Sequence, residues 1–392
     1  LINFPETFAG RAALLGGAGC GFVAVTRLAL SDLPAYVPAA ALALLIAVLF
    51  LAWYLPYHSL HQCARAGNSG RTALLLGQGA DPDRLDIWGL TPLHIAVSMG
   101  HRETIRILLS GKADPNVPGA SGNWPGSTPL HLAVATGQAD LVDMLLDAGA
   151  RPNVQMNDGA PPLHIAIITG RPDLVKHLLE RGADPNLHGP ETAPPIHLAL
   201  LSDSPEIVML LLDAGANPEA RGPNGGTALH LAAALGRCDA ARILLDRGTD
   251  IHSRNDIGET PLHYAAREGQ GEFVAFLLER GAQVDARTST WGTALHSAAY
   301  HSRTDIAKLL LDRGANVNAR ANDGMTPLHQ AAARGSTATA ALLIDRGAEI
   351  DARGDYDLTP LHVARAQGHA ETAELLLSKG AEDAPPPSDP LG

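Results

Sequence analysis

The chain has 392 residues, with 41 Asp and Glu against 29 Lys and Arg and only three cysteines. Three cysteines cannot staple a secreted scaffold, and none of the Asn residues stands in an Asn-x-Ser/Thr context. A formal charge of -12 with no Lys/Arg run argues against a phosphate-tracking surface, so nucleic acid is not an expected partner.

The first 57 residues differ in character from the rest. They hold four charged side chains, Glu6, Arg11, Arg27 and Asp32, so the whole net charge lies beyond Tyr57. From Leu33 to Tyr57 the chain carries no charge, and the run closes on Trp53, Tyr54 and Tyr57. At about 1.5 Å per helical residue this length crosses a hydrocarbon layer of about 30 Å, and the aromatic rings suit its boundary. The alternative is a buried core helix. A second apolar stretch, Ala12 to Thr26, lies between two arginines and contains Gly17-x-x-x-Gly21, the spacing that lets membrane helices approach closely. If those arginines snorkel, the two stretches form a membrane hairpin; otherwise there is one span. For the hairpin, Arg11, Arg65 and Arg71 stand against Arg27 in the loop, which leans towards repeats on the cytoplasmic side.

Beyond residue 58 one pattern recurs. Thr91-Pro92-Leu93-His94 returns as Thr128-Pro129-Leu130-His131, Pro161-Pro162-Leu163-His164, Pro194-Pro195-Ile196-His197 and Thr227-Ala228-Leu229-His230. It continues as Thr260-Pro261-Leu262-His263, Thr293-Ala294-Leu295-His296, Thr326-Pro327-Leu328-His329 and Thr359-Pro360-Leu361-His362. Seven of the eight intervals are 33 residues and one is 37, and stepping back 33 from His94 lands on His61 in a degenerate copy. The period and the Thr-Pro-Leu-His-x-Ala signature resemble the ankyrin repeat over about residues 58 to 382. That resemblance implies a solenoid of helix-loop-helix units joined by β-turn fingers.

The residues of one unit support the same picture without the name. Thr128 can cap a helix that starts at Pro129, where a missing N–H costs nothing. Leu141, Val142, Leu145 and Leu146 follow at helical spacing, and Gly149 stands where a left-handed cap is needed. Two such short helices cannot bury their stripes alone, so each unit depends on its neighbours. The tetrad histidines are expected to bond the Thr hydroxyl and the adjacent turn. No zinc spacing, phosphate loop, nucleophile elbow or Cys-x-x-Cys is present, so no metal, cofactor, small-molecule substrate or catalysis is expected.

Departures from the pattern point to function. Lys112 takes the cap-glycine position in the copy around His94, and a four-residue insertion follows that brings in Trp124. Trp88, Trp291 and Tyr356 stand on other fingers, where aromatic side chains are costly unless used or packed down. The resemblance implies that the residues four and five after each tetrad His look into a groove. These are Ser98 and Met99, Ala135 and Thr136, Ile168 and Thr169, Leu201 and Ser202, Ala234 and Leu235, then Arg267 and Glu268, Tyr300 and His301, Ala333 and Arg334, Ala366 and Gln367. The series turns from apolar to charged near residue 250. Packing between neighbouring first helices is the alternative use of these positions.

The expected fold class is all-α, an ankyrin-repeat solenoid of about ten helix-turn-helix repeats, plus one or two N-terminal transmembrane helices. Residues 1–57 form the anchor, with spans over about 8–30 and 34–55, residues 58–382 the solenoid and residues 383–392 a disordered tail. The expected function is a membrane-anchored scaffold that binds a protein partner noncovalently. Its candidate contacts are Trp88, Met99, Trp124, Ile168, Leu201, Leu235, Arg267, Trp291, Tyr300 and Tyr356. The alternative is a regulatory or accessory subunit of a membrane transport complex.

Overall fold

The computed structural model describes residues 59–120, 125–190, 192–289, 292–354 and 357–384. The two spans expected near 8–30 and 34–55 lie outside the described residues, as does the end of the chain from 385. Among the described residues no helix is long and apolar enough to cross a membrane.

Twenty helices and no strands occur among the described residues, in ten pairs. The first four are α1 (Leu60–Ala66), α2 (Ser69–Gly77), α3 (Pro92–Ser98) and α4 (Arg102–Ser110). Then come α5 (Pro129–Ala135), α6 (Ala139–Asp147), α7 (Pro162–Ile168), α8 (Pro172–Glu180), α9 (Pro195–Leu201), α10 (Pro205–Asp213), α11 (Ala228–Leu235) and α12 (Cys238–Asp246). The last eight are α13 (Pro261–Glu268), α14 (Gly271–Glu279), α15 (Ala294–Tyr300), α16 (Thr304–Asp312), α17 (Pro327–Ala333), α18 (Thr337–Asp345), α19 (Pro360–Ala366) and α20 (Ala370–Ser378).

The chain falls into two compact units, Leu1–Ser121 and Gly122–Gly392. In the first, α1 packs on α3 and α2 on α4. In the second, each first helix from α5 to α19 packs on the next, and the second helices from α8 to α20 do the same, which makes a solenoid. Each pair is built as its residues dictate. Leu130 and Val134 of α5 and Val142 and Leu145 of α6 are fully buried, so the stripes face their neighbours. Gly149 closes α6 at φ 93°, a conformation that an L side chain resists.

Polar side chains hold successive repeats of the second unit in register. Asn153 Oδ1 accepts from Asp184 N at 2.8 Å, Asn186 Oδ1 from Asn217 N at 2.7 Å and Asn318 Oδ1 from Glu349 N at 2.8 Å, each 31 residues on. A second ladder runs along the second helices, where Asp213–Arg247, Asp246–Arg280 and Asp312–Arg346 pair at 2.6, 3.0 and 2.7 Å, each 34 residues apart. These pairs are solvent-exposed and contribute about 0–1 kcal/mol apiece, so the stacked apolar stripes carry the stability.

Candidate protein-binding surface

The buried histidines belong to the scaffold. In seven of the ten repeats the Thr backbone N–H donates to the tetrad His Nδ1, as at His131, His263 and His329 with 3.1, 3.2 and 3.0 Å. A backbone N–H can only donate, so Nδ1 is unprotonated, the ring is neutral and the Thr hydroxyl donates to the same atom. Nε2–H then donates to a carbonyl 29 residues on: Ala160 for His131, Glu259 for His230 and Leu358 for His329. Burial pushes His164, His230, His263 and His296 down to about 4, and lowers His197 and His329 as well. In the second unit the rings thus tie helix starts to the fingers that follow them.

The second unit brings five of the expected contact residues into one row, at the ends of successive first helices. Ile168 closes α7 and is 50 % exposed; Leu201 closes α9 and is 57 % exposed. Leu235 at the end of α11 is half-buried, and so are Arg267 near the end of α13 and Tyr300 at the end of α15. The two most exposed of the three apolar positions are therefore available to a partner.

At α13 the row changes to a fixed polar cluster. Arg267 Nη1 donates to Glu259 Oε1 at 2.9 Å and Nε to Glu268 Oε1 at 3.1 Å, with the guanidinium 4.3 Å above the Tyr264 ring. Glu259 is buried, and its other oxygen accepts from Asn255 Nδ2 at 3.0 Å; the same nitrogen donates to the Tyr264 hydroxyl at 3.1 Å. Two repeats on, the Arg334 guanidinium lies 5.0 Å above the Tyr300 ring, and His301 meets that ring edge-on. These side chains are already ordered, so a partner that meets them spends little on fixing them.

In the first unit, Trp88 is 50 % and Met99 37 % exposed, and the Arg65 guanidinium lies 5.6 Å from the Trp88 ring. Trp124, Trp291 and Tyr356 lie outside the described residues. Residue spacing missed Glu259, Asn255 and Tyr264, which form the base of the polar cluster. It also missed Leu85 and Ile87, exposed by 46 % and 89 % beside Trp88. A finger-by-finger comparison for apolar tips would have found the last two.

A cleft of about 260 Å³ in the second unit is lined by Asp203, Arg237, Cys238, Arg242 and Glu272 among others. An Arg237–Asp203 ion pair of 2.6 Å lies in it. Burial pushes the Cys238 thiol up, and the nearby carboxylates of Glu272 and Asp239 push it the same way, opposite to what a nucleophile needs. Among the described residues no group of three or more His, Cys, Asp or Glu side chains is gathered to hold a metal ion.

Comparison with known proteins gives a concordant result. A family model described as ankyrin repeats in three copies matches residues 60–156, 127–189, 163–255, 248–321 and 317–384. Protein phosphatase 1 regulatory subunit 27 of Mus musculus and of Homo sapiens are each 39 % identical over 67 residues, 17 % of this chain and 44 % of theirs. An ankyrin and IPT/TIG repeat-containing protein of Schizosaccharomyces pombe is 41 % identical over 66 residues, 17 % of this chain and 6 % of its own length. The chain thus spans less than half of each of these relatives.

Proposed function

We propose, on the premise that the chain belongs to the ankyrin-repeat family, that it is a scaffold which binds a protein partner noncovalently and performs no chemistry of its own. The observation that carries this reading is the row in the second unit: exposed Ile168 and Leu201, then Leu235, then the preordered Arg267 and Tyr300. Apolar anchors beside a fixed charged patch are the combination from which a few contacts supply most of an interface's energy. The likeness to two regulatory subunits of a phosphatase makes a protein phosphatase the first partner class to try.

The uncharged run from Leu33 to Tyr57 supports an N-terminal anchor that fixes the repeats beside a membrane, with one or two spans over about 8–30 and 34–55. Arginine placement favours repeats on the cytoplasmic face. A C-terminal tag cut by protease in sealed inside-out vesicles, and protected in right-side-out ones, supports that orientation.

Binding is tested by crosslinking in native membranes, comparing the full chain with Ile168→Asp combined with Leu201→Asp. Both side chains stand half in solvent, so the double variant is expected to keep its melting temperature and lose its crosslinked partner. A retained partner removes this row from the interface. A collapsed melt assigns the two residues to the core.

A further inference from the structure

The finger between α2 and α3 carries three exposed apolar side chains at its tip. Ile87 is 89 % exposed, with Leu85 and Trp88 exposed by 46 % and 50 % beside it. At the position equivalent to Ile87, counted back from the tetrad, the later sequence has Trp124, Asn157, Pro190, Pro223, Asp256, Ser289, Asn322 and Asp355. An isoleucine left in water forgoes roughly 2 kcal/mol of burial. The turn itself is built rather than loose, because Asp86 Oδ1 accepts from Trp88 N at 2.9 Å and from Leu90 N at 3.0 Å.

This finger also stands beside the start of the first repeat. His61, the second residue of α1, has its Nε2 at 2.7 Å from Arg84 O and 3.1 Å from Leu90 O, one on each side of the tip. Tyr57, which closes the uncharged run, is four residues before His61, at most roughly 14 Å of chain. Ile87 is three residues beyond Arg84, at most roughly 11 Å. Arg65 stacked on Trp88 adds a cation to an amphipathic ring, a pair that suits the headgroup level of a bilayer, and Arg84 is exposed close by.

We propose that the Leu85–Trp88 tip inserts into the interfacial layer of the membrane that holds the N-terminal segment, so that the first unit lies against lipid. The inference rests on the anchored reading above. Such a contact is intramolecular once the chain is anchored, so it adds to the attachment without a further cost in translational freedom. Three apolar side chains are enough to add to an attachment that already exists.

The test uses the full chain in phosphatidylcholine–phosphatidylserine vesicles, with Ile87 or, as control, Ile257 replaced singly by p-benzoylphenylalanine. Ile257 is 42 % exposed on a finger of the second unit, so both substitutions leave the core alone. Vesicle flotation reads the anchor, and mass spectrometry of lipid adducts after illumination reads the tip. We expect both variants to float and about tenfold more lipid adduct at position 87 than at 257. Flotation with adduct at 87 no higher than at 257, or with protein adducts in its place, overturns the inference and leaves the anchor standing. A chain that does not float overturns both.

Discussion

At the scale of single residues, six of the tetrad histidines, His164, His197, His230, His263, His296 and His329, are polar groups that folding keeps neutral. An unfolded chain protonates histidine below its ordinary value near 6.5, whereas burial holds the rings of His164, His230, His263 and His296 neutral down to about 4. Stability is therefore full above about 6.5 and drains as pH falls towards 4, at about 1.4 kcal/mol per pH unit for each ring that unfolds. Calorimetry at pH 7 and pH 5 should show a lower melting temperature at the acid value. Scans in buffers of different ionisation enthalpy should show about four protons taken up by these four rings on complete unfolding at pH 5, with His197 and His329 adding to that number. No uptake would mean that the native rings already carry their protons, against the Thr N–H to Nδ1 geometry.

At the scale of elements, helix ends decide how regular the array is. The cap glycines at 149, 182, 215 and 248 take φ between 88° and 93°, and Lys112 adopts the same left-handed turn after α4 at φ 65°. A Cβ in that conformation costs about 1 kcal/mol, so Lys112→Gly should stabilise the first unit by about that amount, read as a higher midpoint in urea. An unchanged midpoint would show that the Lys112 side chain returns the strain through contacts of its own. Between the helices of each pair a second left-handed position recurs, held by Asp203 and Ser302 in two units where the others have Gly100, Gly137 or Gly236. The helix pairs were legible because Thr, Pro and Gly act locally and recur every 33 residues. The apolar-to-charged change at the ends of the first helices is likewise a matter of residue identity at a fixed spacing. The support under Arg267 was not, because Glu259, Asn255 and Tyr264 meet through hydrogen bonds between a finger and a helix, which no spacing rule encodes. Cys238 illustrates the same limit, since neither the burial nor the Glu272 and Asp239 carboxylates that raise its thiol can be read from spacing.

At the scale of the molecule, the second unit is a chain of nearest neighbours, and its response to damage should be local. Leu277 of α14 is fully buried, and α14 packs on α13, α12 and α16. Leu277→Ala removes three heavy atoms from a packed stripe and should cost about 3 kcal/mol, part lost burial and part cavity. In a globular domain that cost would fall on every amide that opens only with the whole. In a stacked array the global opening is replaced by partial ones that free the damaged pair and its neighbours. Hydrogen exchange followed by mass spectrometry should therefore show faster exchange in α12 to α16, while α5 to α8 keep their protection. Equal acceleration from α5 to α20 would show that the eight pairs open as one cooperative body. A partner bound along Ile168, Leu201, Leu235, Arg267 and Tyr300 would span five successive pairs, α7/α8 to α15/α16. Binding should then slow exchange across the pairs that Leu277→Ala loosens, because a ligand selects the state in which all five are stacked.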